Sequence, residues 1–381
     1  MKNLDLMATT TFGLEAVVKR EALALGLENV RVTDGRVHFK GDIEDLVRAN
    51  LHFRCADRIL INMGSFEATS FEMLFEGVKK LPWADWITKN GKFTVLAKST
   101  RSALFSLSDI QSIVKKSVVE KLKLTYPVEY FEESGPEYTI TASLVKDIAT
   151  LTIDSTGAKN GLHKRGYRAQ SAVAPLKETL AAGLILLSYW NKSRILLDPT
   201  CGSGTIAIEA ALIAKNIAPG LNHKAVCETW PQVGADICKK LRSEAYSKID
   251  KEIEPQIFGF DIDSEAIELA KNNANLAGVD DCVVFETKPL SKIELPGKYG
   301  VAISNPPYAE RMGVMDEVER LYSDMGRVFR DDTWSVYVIT SDEFFEEAYG
   351  KKANLKRKLF NGNIKVDYYQ YQGERPPRLV T

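Results

Sequence analysis

Residues 196–205 read Leu196-Leu197-Asp198-Pro199-Thr200-Cys201-Gly202-Ser203-Gly204-Thr205. Ile195–Leu197 is a short apolar strand, and the apolar spacing over 205–215 predicts a helix. Between them Gly202 and Gly204 permit a tight turn and close backbone approach. A strand that passes through such a turn into a helix aims N–H groups and a positive dipole end at an anion such as a carboxylate. Asp198 is placed to pair with an ammonium. A plain strand–turn–helix carries the same residues, so this turn needs partners to mean more.

Two partners lie downstream. Gly259-Phe260-Asp261-Ile262-Asp263 closes a second predicted strand, Gln256–Phe260. An acid there accepts hydrogen bonds from both hydroxyls of a ribose, and Asp263 also suits the N-cap of a helix over Ser264–Ala277. Ser304-Asn305-Pro306-Pro307-Tyr308 closes the strand Tyr299–Ser304. Its two prolines remove two donors and fix φ. Stiff carbonyls and the Asn305 side-chain oxygen can then accept from an –NH2 group. Tyr308 can stack on a flat ring, worth about 1–3 kcal/mol for a base. A conjugated amine is a poor nucleophile because its lone pair is delocalised. Acceptors that hold it out of the ring plane aim that lone pair at an electrophile, which is catalysis by proximity.

Spacing separates the cofactors. A nicotinamide site places its acid about 20 residues beyond the glycine loop; here Asp261 follows Gly204 by 57. A Lys- and Glu-rich insertion, about 215–255, fills the gap. No Gly-x4-Gly-Lys-Ser/Thr is present, so a P-loop is excluded. Methylation at carbon-5 of a pyrimidine needs a nucleophilic Cys by the catalytic loop, and none lies near 305–308. Cys201 reads as a small side chain that lets a ligand approach.

From Lys177 onward, short apolar strands alternate with helices: helices 177–190, 205–215, Ser264–Ala277, Asp316–Arg330 and Asp342–Tyr349, and strands ending with Ser335–Thr340. Alternation of this kind predicts a doubly wound sheet buried on both faces. A hairpin, Leu355–Phe360 and Asn363–Tyr371, adds an antiparallel edge. Residues 1–62 interleave strands and helices tightly, as in a ferredoxin-like α+β module. Residues 63–155 form a second small unit with an amphipathic helix over Ser108–Leu124 and paired strands Glu137–Val145 and Ile148–Asp154.

With 381 residues, 45% hydrophobic and 27% charged, the chain is globular in composition. Its 50 basic and 51 acidic residues leave a net charge of -1. Residues 351–365 nevertheless hold six cations and no acid, and 159–168 holds four cations with His163 and no acid. Such clusters bind phosphate or form a solvated face. The longest nearly apolar stretch, Leu180–Trp190, is too short for a bilayer, and the N-terminus lacks a signal-peptide pattern. Five Cys without a Cys-x-x-Cys read as reduced cytosolic thiols. Four scattered His give no zinc site. The expectation is a cytoplasmic, metal-free protein.

The three loops resemble class I Rossmann-fold S-adenosylmethionine-dependent methyltransferases. Residues 198–204 are similar to the methionine-binding loop, Asp261 to the ribose-binding acid, and Asn305-Pro306-Pro307-Tyr308 to the amino-methylase catalytic loop. The longer pattern Asp154-Ser-Thr-Gly, Leu162-His-Lys-Arg-Gly-Tyr-Arg168 and Ala174-Pro-Leu-Lys-Glu-Thr179 resembles the YpsC/RlmL-type enzymes, so the likeness spans nearly the whole chain. It implies a ferredoxin-like segment over 1–62, an RNA-binding THUMP domain over 63–155 and a catalytic domain over 156–381. It also implies guanine-N2 methylation of 23S rRNA, with S-adenosylhomocysteine as product and a ribosome-assembly intermediate as a possible form of the RNA partner. The cofactor set is then Asp198, Thr200, Cys201, Gly202, Ser203, Gly204, Asp261, Ile262 and Asp263, with Pro175, Lys177, Glu178 and Thr179 closing over it. The catalytic set is Asn305, Pro306, Pro307 and Tyr308. Lys98, Arg101, Lys164, Arg165 and Arg168 are candidate phosphate contacts.

Two positions depart from the family pattern. Thr287-Lys288-Pro289-Leu290 stands where an acid of the adenine-binding loop is usual, and Ala309 replaces a common Gly. The exocyclic amines of guanine and adenine and the amide of glutamine all fit Asn-Pro-Pro-Tyr, and relatives with this motif are also named N6-adenine DNA methylases. The rival readings are therefore a DNA adenine-N6 or tRNA guanine-N2 methyltransferase, an RNA chaperone or ribosome-assembly factor that binds cofactor without turnover, and a nicotinamide dehydrogenase.

Overall fold

The computed structural model describes residues 3–168, 176–307 and 315–377. Its contacts divide into two compact units. The first comprises residues 1–10, 19–162 and 223–244; the second comprises 11–18, 163–222 and 245–381.

The first unit is built on a seven-stranded sheet of β1 (Leu4–Thr10), β2 (Glu28–Thr33), β3 (Arg36–Gly41), β4 (Ala56–Glu67), β5 (Lys92–Thr100), β6 (Glu137–Val145) and β7 (Ile148–Asp154), in the order β2-β3-β1-β4-β7-β6-β5. The two small modules expected from the sequence thus share one sheet. β4 makes the join: it pairs antiparallel with β1 on one side and with β7 on the other. It is 12 residues long and shifts register at Gly64, whose φ of 152° suits the bulge. Helices α1 (Glu15–Ala24), α2 (Ile43–His52), α3 (Phe71–Lys79) and α4 (Leu107–Thr125) complete this part of the chain. Asp42 caps α2 and shares a capping box with Asp45.

Residues 223–244 come from the Lys- and Glu-rich insertion, yet they pack into this first unit. Trp230 is buried and stacks on Tyr138 at a ring-centroid distance of 5.0 Å. Its Nε1–H donates to the Glu137 carbonyl at 3.0 Å.

The second unit carries α5 (Glu178–Leu187), β8 (Leu196–Asp198), α6 (Thr205–Ala214), β9 (Ile257–Asp261), α8 (Ser264–Ala277), β10 (Val283–Thr287), β11 (Val301–Ser304), α9 (Met315–Val328), β12 (Ser335–Thr340), α10 (Phe345–Tyr349), β13 (Leu355–Asn361) and β14 (Ile364–Tyr371). Helix α7 (Ala235–Ser247) lies in the insertion. The strand order is β10-β9-β8-β11-β12-β14-β13. The first five strands run parallel, and the closing hairpin is antiparallel. Adjacent residues of β14 report helices on both faces. Tyr368 donates to the Leu184 carbonyl of α5, while Tyr369 packs on Phe345 of α10. β8, β11 and β12 are buried throughout, as an apolar strand sandwiched between helices must be.

Candidate functional site

β9, β8 and β11 are neighbours and parallel, so Asp261, Asp198 and Ser304 end at one edge of the sheet. The loop after β8 is fastened to the strand ends on either side. Toward β9, the Gly202 N–H donates to Asp261 Oδ2 at 2.8 Å and the Cys201 N–H to the Phe260 carbonyl at 2.8 Å. Toward β11, the Thr200 and Ser304 hydroxyls share a hydrogen bond of 2.8 Å. Asn305, directly after Ser304, is half-buried, Pro306 is buried and Pro307 exposed. Tyr308, Ala309 and Pro175 lie outside the described residues.

The turn is shaped by its glycines. Gly202 and Gly204 have φ of 50° and 81°. A Cβ on Gly204 would meet the Phe285 ring at 2.7 Å, whereas one on Gly202 would have nothing within 4 Å. Ser203 and Gly204 are buried, and the Ser203 carbonyl accepts from Asn273 Nδ2–H of α8 at 3.1 Å.

Asp198 is 1% exposed and accepts the Thr200 N–H at 3.3 Å. Burial pushes its carboxyl well above the usual carboxylate range, and the charge of Asp261 adds to that. Burial likewise pushes the Cys201 thiol well up, with Asp198 and Asp261 contributing, which agrees with an inert, small side chain at that position. Asp261 is half-buried; its Oδ1 accepts the Asp263 N–H at 3.0 Å. Asp263 acts as the N-cap of α8 through the Glu265 N–H. Ile262 is 76% exposed and offers an apolar face beside Asp261. Across from Asp261 stands Thr287, and the following Lys288 N–H donates to the Asp261 carbonyl at 2.8 Å.

Lys177 caps α5 without a side-chain bond, and Glu178 and Thr179 are buried in its first turn. Among the expected phosphate contacts, Lys98, Arg101 and Lys164 are exposed. Arg165 and Arg168 require correction. The Arg165 guanidinium is ion-paired with Glu209 at 3.3 Å, with side chains 2% and 0% exposed, so it cannot meet an RNA backbone. Arg168 is mostly buried and bonded to Thr205, Leu176 and Glu178. Glu209 was not legible as a partner of this stretch; the Tyr167 hydroxyl donates to its Oε1 at 3.1 Å. The available signal was a lone acid in the apolar run of α6, since a buried carboxylate demands a partner.

Among the described residues no group of three or more His, Cys, Asp or Glu side chains is placed to share a metal ion, and no helix is long and apolar enough to cross a membrane. A cavity of about 330 Å³ lined by Arg327, Arg330, Trp334, Tyr349 and Lys351 lies at the other end of the sheet, by the start of β12, and has no part in this constellation.

Comparison with known proteins gives three domain matches. Residues 5–60 match the RlmL ferredoxin-like domain, 68–154 the THUMP domain, and 165–370 the RMKL-like methyltransferase domain. The chain is 49% identical over its whole length to a Bacillus subtilis protein named "Putative RNA methyltransferase YpsC", covering 99% of it. It is 35% identical over 92% of its length to the ribosomal RNA large subunit methyltransferase K/L of Cellvibrio japonicus, of which it spans 49%. Among solved structures, SMU.472, described as "a putative methyltransferase complexed with SAH" (S-adenosylhomocysteine), superposes with a TM-score of 0.93 at 44% identity, covering 99% of this chain and all of that one. A Listeria monocytogenes structure described as a predicted N6-adenine-specific DNA methylase gives 0.94 at 45% identity, covering 98% and 97%.

Proposed function

The chain belongs to the RMKL-like family of RNA methyltransferases, and from that premise we propose that it methylates the exocyclic N2 amine of a guanosine in 23S rRNA. Its cofactor is S-adenosylmethionine, in keeping with the homologous SAH complex. The division into segments 1–62, 63–155 and 156–381 belongs to the same reading.

The observation that carries it is the pair of ties that gather three strand ends: Gly202 to Asp261, and Thr200 to Ser304. The residues fit the cofactor on structural grounds. At Gly202 the turn is left-handed and faces open space, with nothing within 4 Å of where a Cβ would stand. Asp198 is a buried acid that an ammonium would compensate. Asp261 has acceptor capacity beyond its two backbone bonds. Thr200, Cys201, Ser203 and Gly204 shape the turn, Ile262 and Asp263 flank the ribose acid, and Lys177, Glu178 and Thr179 would close the site. When bound, the cofactor supplies a methyl group activated by a sulfonium.

The chain's own contribution is orientation. The Asn305 side-chain oxygen and the Pro306 carbonyl accept from the target amine and hold its lone pair out of the ring plane. Tyr308 stacks the base. The prolines keep these acceptors stiff, so little ordering remains to be done during transfer. No nucleophilic side chain is needed for a direct displacement. Lys98, Arg101 and Lys164 are retained as phosphate contacts. The choice of large-subunit rRNA is supported by the name of the K/L relative, and the choice of RNA by the THUMP match.

The test is methyl transfer from labelled S-adenosylmethionine to total RNA and to DNA, followed by nucleoside mapping of rRNA from a deletion strain. N2-methylguanosine missing from one 23S position is the expected result. Label in DNA alone rejects the proposal in favour of adenine-N6 chemistry. Asn305→Ala should abolish transfer while SAH affinity stays near wild type; unaltered transfer defeats the mechanism.

A further inference from the structure

We infer that Arg168 is a positioning residue for the cofactor turn, and that Arg165 and Arg168 of the basic stretch serve the cofactor site from inside rather than RNA from outside. The inference rests on the reading that the Gly202–Gly204 turn holds S-adenosylmethionine. Arg168 Nη2–H donates to Thr205 Oγ1 at 2.7 Å and to the Leu176 carbonyl at 3.2 Å, and Nη1 lies 3.3 Å from Glu178 Oε1. Thr205 is the first residue of α6, immediately after Gly204, and Glu178 is the first residue of α5. One guanidinium therefore joins the beginnings of the two helices next to the proposed cofactor site.

Two neighbours in the stretch grip the same helix. Arg165 and Tyr167 both bond Glu209, one turn beyond Thr205, and all three are buried. Helix α6 is otherwise apolar, so Thr205 and Glu209 are the two side chains by which polar groups can hold it in register. The guanidinium fork suits this task because its donors are fixed in one plane and can meet a hydroxyl and a carboxylate together. Burial pushes the Glu178 carboxyl up, and the Arg168 charge is the largest influence opposing that rise. A lysine, with a point charge, cannot span the same set.

The role separates from a phosphate contact by experiment. Full-length Arg168→Met and Arg168→Lys, together with Thr205→Val and Thr205→Ser, are titrated with SAH by calorimetry and with 23S rRNA at several salt concentrations. Arg168→Met and Thr205→Val should bind SAH about tenfold or more weakly, the scale of losing a hydrogen bond to a charged group. Thr205→Ser should bind nearly as wild type, and Arg168→Lys should fall between. KM for S-adenosylmethionine should rise by a similar factor, with kcat at saturation within about twofold. The salt dependence of RNA binding should be unchanged. A salt slope reduced by about 0.7–0.9, the signature of one lost phosphate contact, with SAH affinity intact in Arg168→Met, overturns the inference. Gly202→Ala separates the two levels of argument. If it leaves SAH binding untouched, the cofactor reading itself fails. If it weakens SAH while the Arg168 and Thr205 variants do not, the positioning role alone fails.

Discussion

Alanine at Gly202 and alanine at Gly204 should fail in different ways. Both backbones are left-handed, at 50° and 81°, which costs an L-residue about 1–2 kcal/mol. At Gly204 the new carbon would sit 2.7 Å from the Phe285 ring and 3.0 Å from the Ala270 side chain. Phe285 is buried on β10 and also abuts Gly259, where a Cβ would meet its ring at 2.6 Å, so the ring has little room to retreat. Overpacking of this kind adds about 1–3 kcal/mol, for a total of about 2–5 kcal/mol. At Gly202 nothing stands within 4 Å of the added carbon, so the stability loss stays near 1–2 kcal/mol, roughly the backbone cost alone. The methyl instead enters the space proposed for the cofactor, and SAH affinity should fall about tenfold or more, equivalent to about 1.4 kcal/mol. Urea unfolding and SAH calorimetry on both variants read the two losses separately. A Gly202→Ala protein with wild-type SAH affinity refutes the placement of the cofactor. A Gly204→Ala protein as stable as wild type refutes the packing argument.

Further outcomes follow from the buried charges and the insertion. Asp198 keeps its proton to higher pH when folded than when unfolded, because burial and then Asp261 raise its pKa. Its stabilising contribution is therefore complete below the unfolded carboxylate pKa and is lost as pH rises through the folded one; Asp198→Asn should narrow that loss in urea unfolding measured across pH. An ammonium ligand favours the ionised form, so SAH affinity should climb with pH in wild type and flatten in Asp198→Asn; equal slopes reject the pairing. Arg165→Met should cost about 3–5 kcal/mol by stranding the buried Glu209, and the double change Arg165→Met with Glu209→Leu should recover part of that in urea unfolding. Trp230→Ala should cost about 3–5 kcal/mol through the lost packing on Tyr138 while SAH affinity holds.

What was legible in the sequence was local. The ends of α8, β6, β7 and β12 fall where cap residues, turn dipeptides and apolar runs predict them, because each is fixed by interactions a few residues long. The three strand-end loops were visible for the same reason. Helix α7 was missed because the insertion is polar on average, which obscures the helical spacing of its buried residues Cys238, Leu241 and Ala245. The destination of Trp230 was invisible because its partner Tyr138 is distant in sequence. The misreading of Arg165 and Arg168 has one cause as well. A basic run without an acid looks solvated, but the acid that neutralises Arg165 is 44 residues away on α6. A charge run is thus ambiguous until the chain is searched for acids in apolar surroundings, and Glu209 was such an acid.

The loop after β8 is held from both sides by bonds that use its Cys201 and Gly202 N–H groups but leave acceptor positions on Asp261. A carboxylate offers about four acceptor positions. Asp261 spends one on the Gly202 N–H through Oδ2 and one on the Asp263 N–H through Oδ1. One position remains on each oxygen, and a ribose presents two adjacent hydroxyls. A nucleoside can therefore be received without breaking the tie that orients the turn. The opposite tie lies at the neighbouring strand end: the Thr200 and Ser304 hydroxyls engage each other one residue before Asn305. Because the loop proposed for the methyl donor and the loop proposed for the amine are linked through these side chains, their spacing is set by the fold and not by either ligand. A large saving open to a reaction that needs no covalent intermediate is the entropy of alignment, and this arrangement places that saving in the folded protein.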